Sequence, residues 1–487
     1  MSRPGSIRSV LVVGTGIVGL SAALAFARAL RRIGVNLLEL PADRAALADR
    51  LPGTLPSIHR FHERIGIDEL ELVRSGAATH IIGTRFENWA EDWYHAHGNF
   101  GLPGTAAPFH WIWLRARQAR KALPLHFYSP AAALAASGKF VHPDPDPDSP
   151  LHAFDYGLRI DPPRYRDLLA AHADRHRIGR ARGELGGFER RADGGIAALR
   201  LKDGRRIEAD LFIDASGPAA PLLSMLEDDF EDWSESLPCD RLLLRESGGG
   251  EPSPTDTVTA MPWGWRWQSP SPTRRIDGFA FTCAISGEKE PRAAAGPDAE
   301  LVSLKPGRRP QPWLRNVLAI GDGAIAADPL CSTPLHLAHN AILRALDLLP
   351  DRDCHRLALR EYIRLTEVET RRVRDFIALY YLASPRRYGP YWKAMTKRML
   401  PDSLAHTLDQ WRSRGRLPFY EEESFTRESW LAVLLGMGLV PKAIDYRAEA
   451  LDAGQCVEAL QQSARVIAAL PAQLPTYPDY LRRMLGR

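Results

Sequence analysis

The chain has little that would staple it, span a bilayer or repeat. Its five cysteines (Cys239, Cys283, Cys331, Cys354, Cys456) are scattered through 487 residues with no CxxC pair and no metal-ligand spacing. That excludes a disulfide scaffold and suits a reducing cytoplasm. A charge of one sign is also missing. Lys and Arg number 63 against 59 Asp and Glu, and the net charge of +4 gives no argument for nucleic acid. The apolar N-terminal run is interrupted by glycines, so it reads as neither a signal peptide nor a membrane span. There is no internal repeat, and the clearest low-complexity stretch is the Pro/Asp loop 142–150. With 45% hydrophobic and 25% charged residues, the composition is that of a globular chain long enough for one large core or two to three domains.

What is present is concentrated in residues 9–39, SVLVVGTGIVGLSAALAFARALRRIGVNLLE. A β-branched run meets Gly14-Thr-Gly16-Ile17-Val-Gly19, an Ala/Leu-rich helical segment follows, and a second apolar run ends on Glu39. This is the order of a dinucleotide-binding βαβ unit. Gly14 permits the tight turn, Gly16 the approach of a pyrophosphate, and Gly19 close packing of helix on sheet. The free N–H groups of the first helical turn, at Ile17 and beyond, hold the anion. Glu39, about 25 residues on, is placed to accept from ribose hydroxyls, which favours FAD or NAD over NADP. The bland alternative is that the glycines serve packing alone.

Further along, residues 58–65 have helical periodicity closed by Gly66, 78–89 reads as a strand, and 163–177 as a helix with prolines at its start. A meander follows over 196–213, turning at Asp203-Gly204 and ending in Asp214-Ala-Ser-Gly217. Residues 316–323 form another strand running into the Asp322-Gly323 turn, before a helix to about residue 348. Trp265 and Trp267 taken alone would be core aromatics. His95, His97, His110, Trp111 and Trp113 would line a pocket or a solvated loop, and His336 and His339 read as packing histidines.

These motifs together resemble the flavin-dependent tryptophan halogenases. The resemblance runs through GTGIVG, RFENW (85–89), YGLRIDPPRY (156–165), DLFIDASG (210–217), FEDWSESLPCDR (230–241), WRWQSP (265–270), DPLCSTPLHL (328–337), PDSLA (401–405) and SWLAVLLGMGLVP (429–441). It implies an α/β fold: an FAD-binding Rossmann-like domain of flavin monooxygenase type, with a mixed-sheet substrate region and a C-terminal helical layer. The expected division is a cofactor domain over 1–350 and a helical cap over 351–487. The resemblance also implies that FADH2 comes from a separate flavin reductase and that O2 and halide yield hypohalous acid. The acid then passes through a tunnel, by way of a lysine assisted by a glutamate, to an aromatic substrate such as tryptophan or another indole. Gly14, Gly16, Ile17, Gly19, Glu39, Asp322 and Gly323 fall on the cofactor side. Trp265, Trp267, Pro270 and Pro56 fall on the tunnel and substrate side. A cytoplasmic location is expected, without metal, membrane or nucleic acid, and the sequence leaves the oligomeric state open, a homodimer among the options.

The chain departs from the pattern where halogen would be handled. Ile81 stands at the lysine position and Cys331 at the glutamate position. The halide site, formed in the family by backbone N–H groups at Thr-Gly, becomes Ser332-Thr333-Pro334, and proline has no N–H to give. His80 could replace the lysine only if a bulge slipped the register, because successive strand side chains point to opposite faces. In the flavin-side loop, a Gly-Val-Gly-Glu-Ala-Thr stretch becomes Asp49-Arg-Leu-Pro-Gly53-Thr54. The sequence therefore points to a flavin- and O2-dependent oxidoreductase of monooxygenase-like action whose halogenation apparatus is degenerate. The alternatives are a catalytically inactive paralogue that binds a small molecule or partner, and a halogenase with a replacement relay.

Overall fold

The computed structural model describes residues 5–40, 43–104, 107–152 and 154–486. The chain forms two compact units, each assembled from three separate stretches. The first contains Met1–Ala78, Ile160–Asp240 and Val302–Arg371; the second contains Thr79–Arg159, Arg241–Leu301 and Arg372–Arg487.

The first unit is built on the β-branched run expected to be a strand. It forms β1 (Ser9–Val13), followed by α1 (Ile17–Ala29) and β2 (Gly34–Glu39). β1 pairs in parallel with β2 on one side and with Leu211–Asp214 on the other, in the register Val10↔Leu211 to Val13↔Asp214. The full sheet has six strands, extended by Gly179–Arg182 beyond β2 and by Val317–Ala319 and Trp313–Leu314 beyond Leu211–Asp214. Such a sheet is covered on both faces, which is why its strands read as continuous apolar runs. Every residue of α1 from Ile17 to Phe26 is buried, and the helix packs against Pro162–Arg175 and Thr333–Asp347. On the other side Leu11, Val13 and Leu38 join Phe212, Leu199 and Leu222 in one core cluster. Each such side chain contributes roughly 1.5–3 kcal/mol on burial. The meander expected over 196–213 is divided: Ile196–Leu201 and Arg206–Glu208 join Leu185–Arg190 in a three-stranded antiparallel sheet, whereas Leu211–Asp214 belongs to the six-stranded sheet.

The second unit centres on a mainly antiparallel seven-stranded sheet. Six of its strands, ending at the edge strand Trp93–Ala96, run in the order Arg241–Gly248, Arg274–Phe281, Gly264–Ser269, Thr255–Met261, Gly83–Glu87 and Trp93–Ala96. Around it lie helices such as Asp402–Arg414, Arg427–Gly436 and Ala453–Ala469. The strand expected over 78–89 is broken. Ala78–Ile81 pairs with Gly157–Ile160, whereas Gly83–Glu87 lies in the large sheet. Ile82 uses its backbone in the gap, donating to the Pro254 carbonyl and accepting from His97 N–H. Gly83 follows because the chain must then pass close to a neighbour: a Cβ there would meet Ala96 Cα at 2.6 Å. No helix among the described residues is long and apolar enough to cross a membrane.

A buried cation ties this unit together. Arg159, 1% exposed, donates to Asp256 Oδ1 from Nε at 3.0 Å and from Nη2 at 2.5 Å, to Ser269 Oγ, and to the Ser253 carbonyl. Removing one partner of such a pair strands the other charge away from water. Arg159→Ala is therefore expected to lower the unfolding free energy by about 3–5 kcal/mol, read from urea unfolding followed by circular dichroism.

Candidate functional site

The turn between β1 and α1 makes the first unit's most specific site. Gly14 has φ +110°, a conformation that excludes side chains, and its N–H donates to the Leu38 carbonyl. Gly16 begins α1 with no side-chain cap, so the first N–H groups of the helix need an acceptor from elsewhere. Gly19 lies buried in the first turn of the helix. The acceptor is Asp49, carried on the 3-10 turn Leu47–Asp49: its Oδ1 accepts from Val18 N–H at 3.0 Å. A Cβ added to Gly16 would lie 1.9 Å from Asp49 Oδ2, so the carboxylate fills the space that the glycine leaves. Burial pushes the half-buried Asp49 up to about 6, against the pull of the Val18 and Ile17 N–H groups and of Arg166.

Asp322 stands beside it on the turn Gly321–Gly323. A Cβ on Gly321 would meet Val18 at 3.1 Å, so the turn rests on the start of α1. Asp322 Oδ2 accepts from Ala48 N–H at 2.9 Å, while Oδ1 is buried without a partner. Burial, with Asp49 adding repulsion, pushes Asp322 up to about 7. The next residue is also held, since Gly323 offers its carbonyl to Arg309 Nε, and Arg309 donates further to Asp228, Ala219 and Ser224. Asp322 borders a cavity of about 310 Å³ whose wall includes Ala45, Leu47, Lys305, Arg309 and Ala326. At the far end of β2, Glu39 accepts from Arg182 Nε, a partner 143 residues away. Asp214 caps a turn: its oxygens take the N–H groups of Ser216, Leu222 and Leu223.

The segment ahead of the helix Thr333–Asp347 is strained. Cys331 and Ser332 have φ +68° and +54°, the left-handed region that non-glycine residues enter only at a cost of about 1–3 kcal/mol each. Thr333 is fully buried and its Oγ1 has no partner. Pro334 sits in the first turn of Thr333–Asp347, where a helix loses nothing by lacking that N–H. Pro56 is half-buried just ahead of α2 (Ile58–Ile65), and Ser57 bonds His336 Nδ1 at 2.6 Å. His336 continues to Asn340, which donates to Glu369 at 2.6 Å, and Glu369 accepts from Arg344. The buried His339 ring stacks on Phe61 with centroids 3.6 Å apart.

In the second unit Trp265 and Trp267 are both buried, their centroids 5.6 Å apart, and Trp265 donates to Tyr381 Oη. Pro270 follows them, half-buried. Ile81 is 3% exposed at the end of its strand. The His80 ring stacks on Phe140 at 4.4 Å, and its Nδ1 lies 3.1 Å from Tyr477 Oη, which also accepts from its backbone N–H.

Comparison with known proteins gives one answer. The tryptophan halogenase family profile matches residues 9–453. The chain belongs to the tryptophan halogenase family. Among solved structures in this halogenase group, it is similar to BrvH, a flavin-dependent halogenase from Brevundimonas sp. BAL3, at 33% identity and TM-score 0.92, covering 98% of this chain and 99% of that one. It is also similar to Xcc4156, a flavin-dependent halogenase from Xanthomonas campestris, at 28% identity and TM-score 0.91, with 98% of each chain covered. A curated relative, tryptophan 7-halogenase RebH of Lentzea aerocolonigenes, is 24% identical across 99% of this chain and 100% of its own. The fold is thus the FAD-binding Rossmann-like fold of the halogenases.

The residues of this halogenase-family chain fit a dinucleotide in all but one respect. Gly16 presents no Cβ to a pyrophosphate, Asp322 keeps an unpartnered oxygen, and a cavity lies beside it. The exception is Asp49, which takes the helix N-terminus for itself. The sequence pattern shows that loop losing its glycines; it does not show that the new carboxylate would seat itself on α1.

A carboxyl group whose pKa rises on folding is protonated more readily in the folded chain, so its ionisation costs stability as pH climbs from about 4 through 7. Asp322→Asn mimics the neutral form. Its melting temperature should exceed that of the unmodified protein by a few degrees at pH 8 and match it at pH 5, as read by differential scanning fluorimetry.

Proposed function

We propose that this chain is an FAD-dependent oxidoreductase acting with O2 on an indole or related aromatic ring, without transferring halogen. The observation that carries the reading is Ile81, a buried aliphatic side chain where the family's motif has lysine. Isoleucine has no nitrogen to take up an oxidised halogen. Cys331 and Pro334 support the same reading, since neither supplies the glutamate nor the second N–H that the motif carries.

The N–H groups of Ile17 and Val18 would face the pyrophosphate of FAD, Glu39 the ribose, and Asp322 the polyol chain. Reduced FAD, supplied by a separate reductase, provides the electrons that activate O2. Arg309 fixes the backbone that presents Asp322 through its bond to the Gly323 carbonyl. Arg182 orients Glu39. A second reading, a paralogue that binds a small molecule or partner without turnover, is favoured by Asp49 in the pyrophosphate position.

A coupled assay with a flavin reductase, NADH, FAD, bromide and indole separates these readings. FAD-dependent oxygenated indole with no bromoindole supports the proposal. Bromoindole from the unmodified chain contradicts it, and absence of any product together with absence of flavin binding supports the paralogue. The triple variant Ile81→Lys, Cys331→Glu, Pro334→Gly is expected to produce measurable bromoindole in the same assay.

A further inference from the structure

We propose that the Asp49 carboxylate is a tethered occupant of the pyrophosphate seat, which FAD must displace in order to bind. The inference rests on reading the β1–α1 turn as the FAD site. Four observations carry it. Asp49 Oδ1 takes the Val18 N–H, one of the donors a pyrophosphate would need. Its Oδ2 fills the space beside Gly16 that the missing Cβ opens for a ligand. The same short turn brings the Ala48 N–H onto Asp322 Oδ2, so it occupies both anchoring points of the site at once. Asp322, 6% exposed, retains an oxygen, Oδ1, with no partner beside the turn that carries Asp49.

The occupant sits on a short turn whose residues Ala46, Leu47 and Ala48 are buried. Leu47–Asp49 is one 3-10 turn closed by the bonds Asp49 N–H to Ala46, Arg50 N–H to Leu47 and Leu51 N–H to Leu47. The carboxylate and a pyrophosphate are both anions and compete for the same N–H groups, so the two states are mutually exclusive. Displacement costs the cap, which for a carboxylate on a helix N-terminus is about the size of a tenfold change in affinity.

The test is titration of purified full-length protein with FAD, ADP and riboflavin, followed by fluorescence or calorimetry. The unmodified chain is compared with Asp49→Ala and with Asp49→Asn, which keeps an acceptor oxygen but no charge. Circular dichroism checks that each variant is folded. The proposal expects Asp49→Ala to bind FAD and ADP at least about tenfold more tightly, and Asp49→Asn, which still offers an acceptor to α1, to fall between it and the unmodified chain, with riboflavin, which lacks phosphate, unchanged. Equal FAD affinity in all three proteins overturns it while leaving the flavin reading intact. Weaker binding in the variants overturns it too, by making Asp49 a ligand of the cofactor. Absence of FAD and ADP binding in folded Asp49→Ala overturns both, because the seat is then vacated and still takes no dinucleotide.

Discussion

The site is organised by an electrostatic demand at one point, the N-terminus of α1. A helix leaves its first N–H groups unpaired and carries the positive end of its dipole there, so some anion must arrive. A side chain at the cap can answer that demand, but α1 starts at a glycine and has none. The rest of the first unit presents that end. The left-handed turn at Gly14 aims the helix, parallel pairing of β1 with β2 and with Leu211–Asp214 fixes the strand beneath it, and the Gly321–Gly323 turn rests on Val18. Asp49 meets the demand from within the chain.

A carboxylate in that position changes the neighbouring chemistry. Two acids side by side in a partly desolvated space repel, and both Asp49 and Asp322 are pushed up by burial toward neutral pH. A bound pyrophosphate would place still more negative charge there, which is why the turn that carries Asp49 and the ligand belong to alternative states. Elsewhere the chain keeps the fold of its family, with a buried aliphatic Ile81, a proline in the first turn of Thr333–Asp347, and a left-handed backbone at Cys331.

Much of this could be read from residue spacing, because the informative contacts are local. The β1–α1–β2 unit, the 163–177 helix and the Asp203-Gly204 turn all rest on periodicity, proline placement or turn chemistry within about a dozen residues. The break at Ile82 was hidden because 78–89 is uniformly strand-like, and only the Pro254 and His97 backbones reveal it. Glu39 stands where the pattern puts it, but its partner Arg182 lies on a distant strand. Asp49 was visible as a replaced glycine in a loop. That its carboxylate would reach back to Val18, 31 residues earlier, depends on how the loop folds over the helix, which no local pattern encodes.

A crystal structure of the full chain with FAD tests the central claim most directly. The pyrophosphate oxygens should accept from the Ile17 and Val18 N–H groups, with the Asp49 carboxylate drawn off the helix. Flavin bound at another surface, with Asp49 still accepting from Val18, would contradict the account.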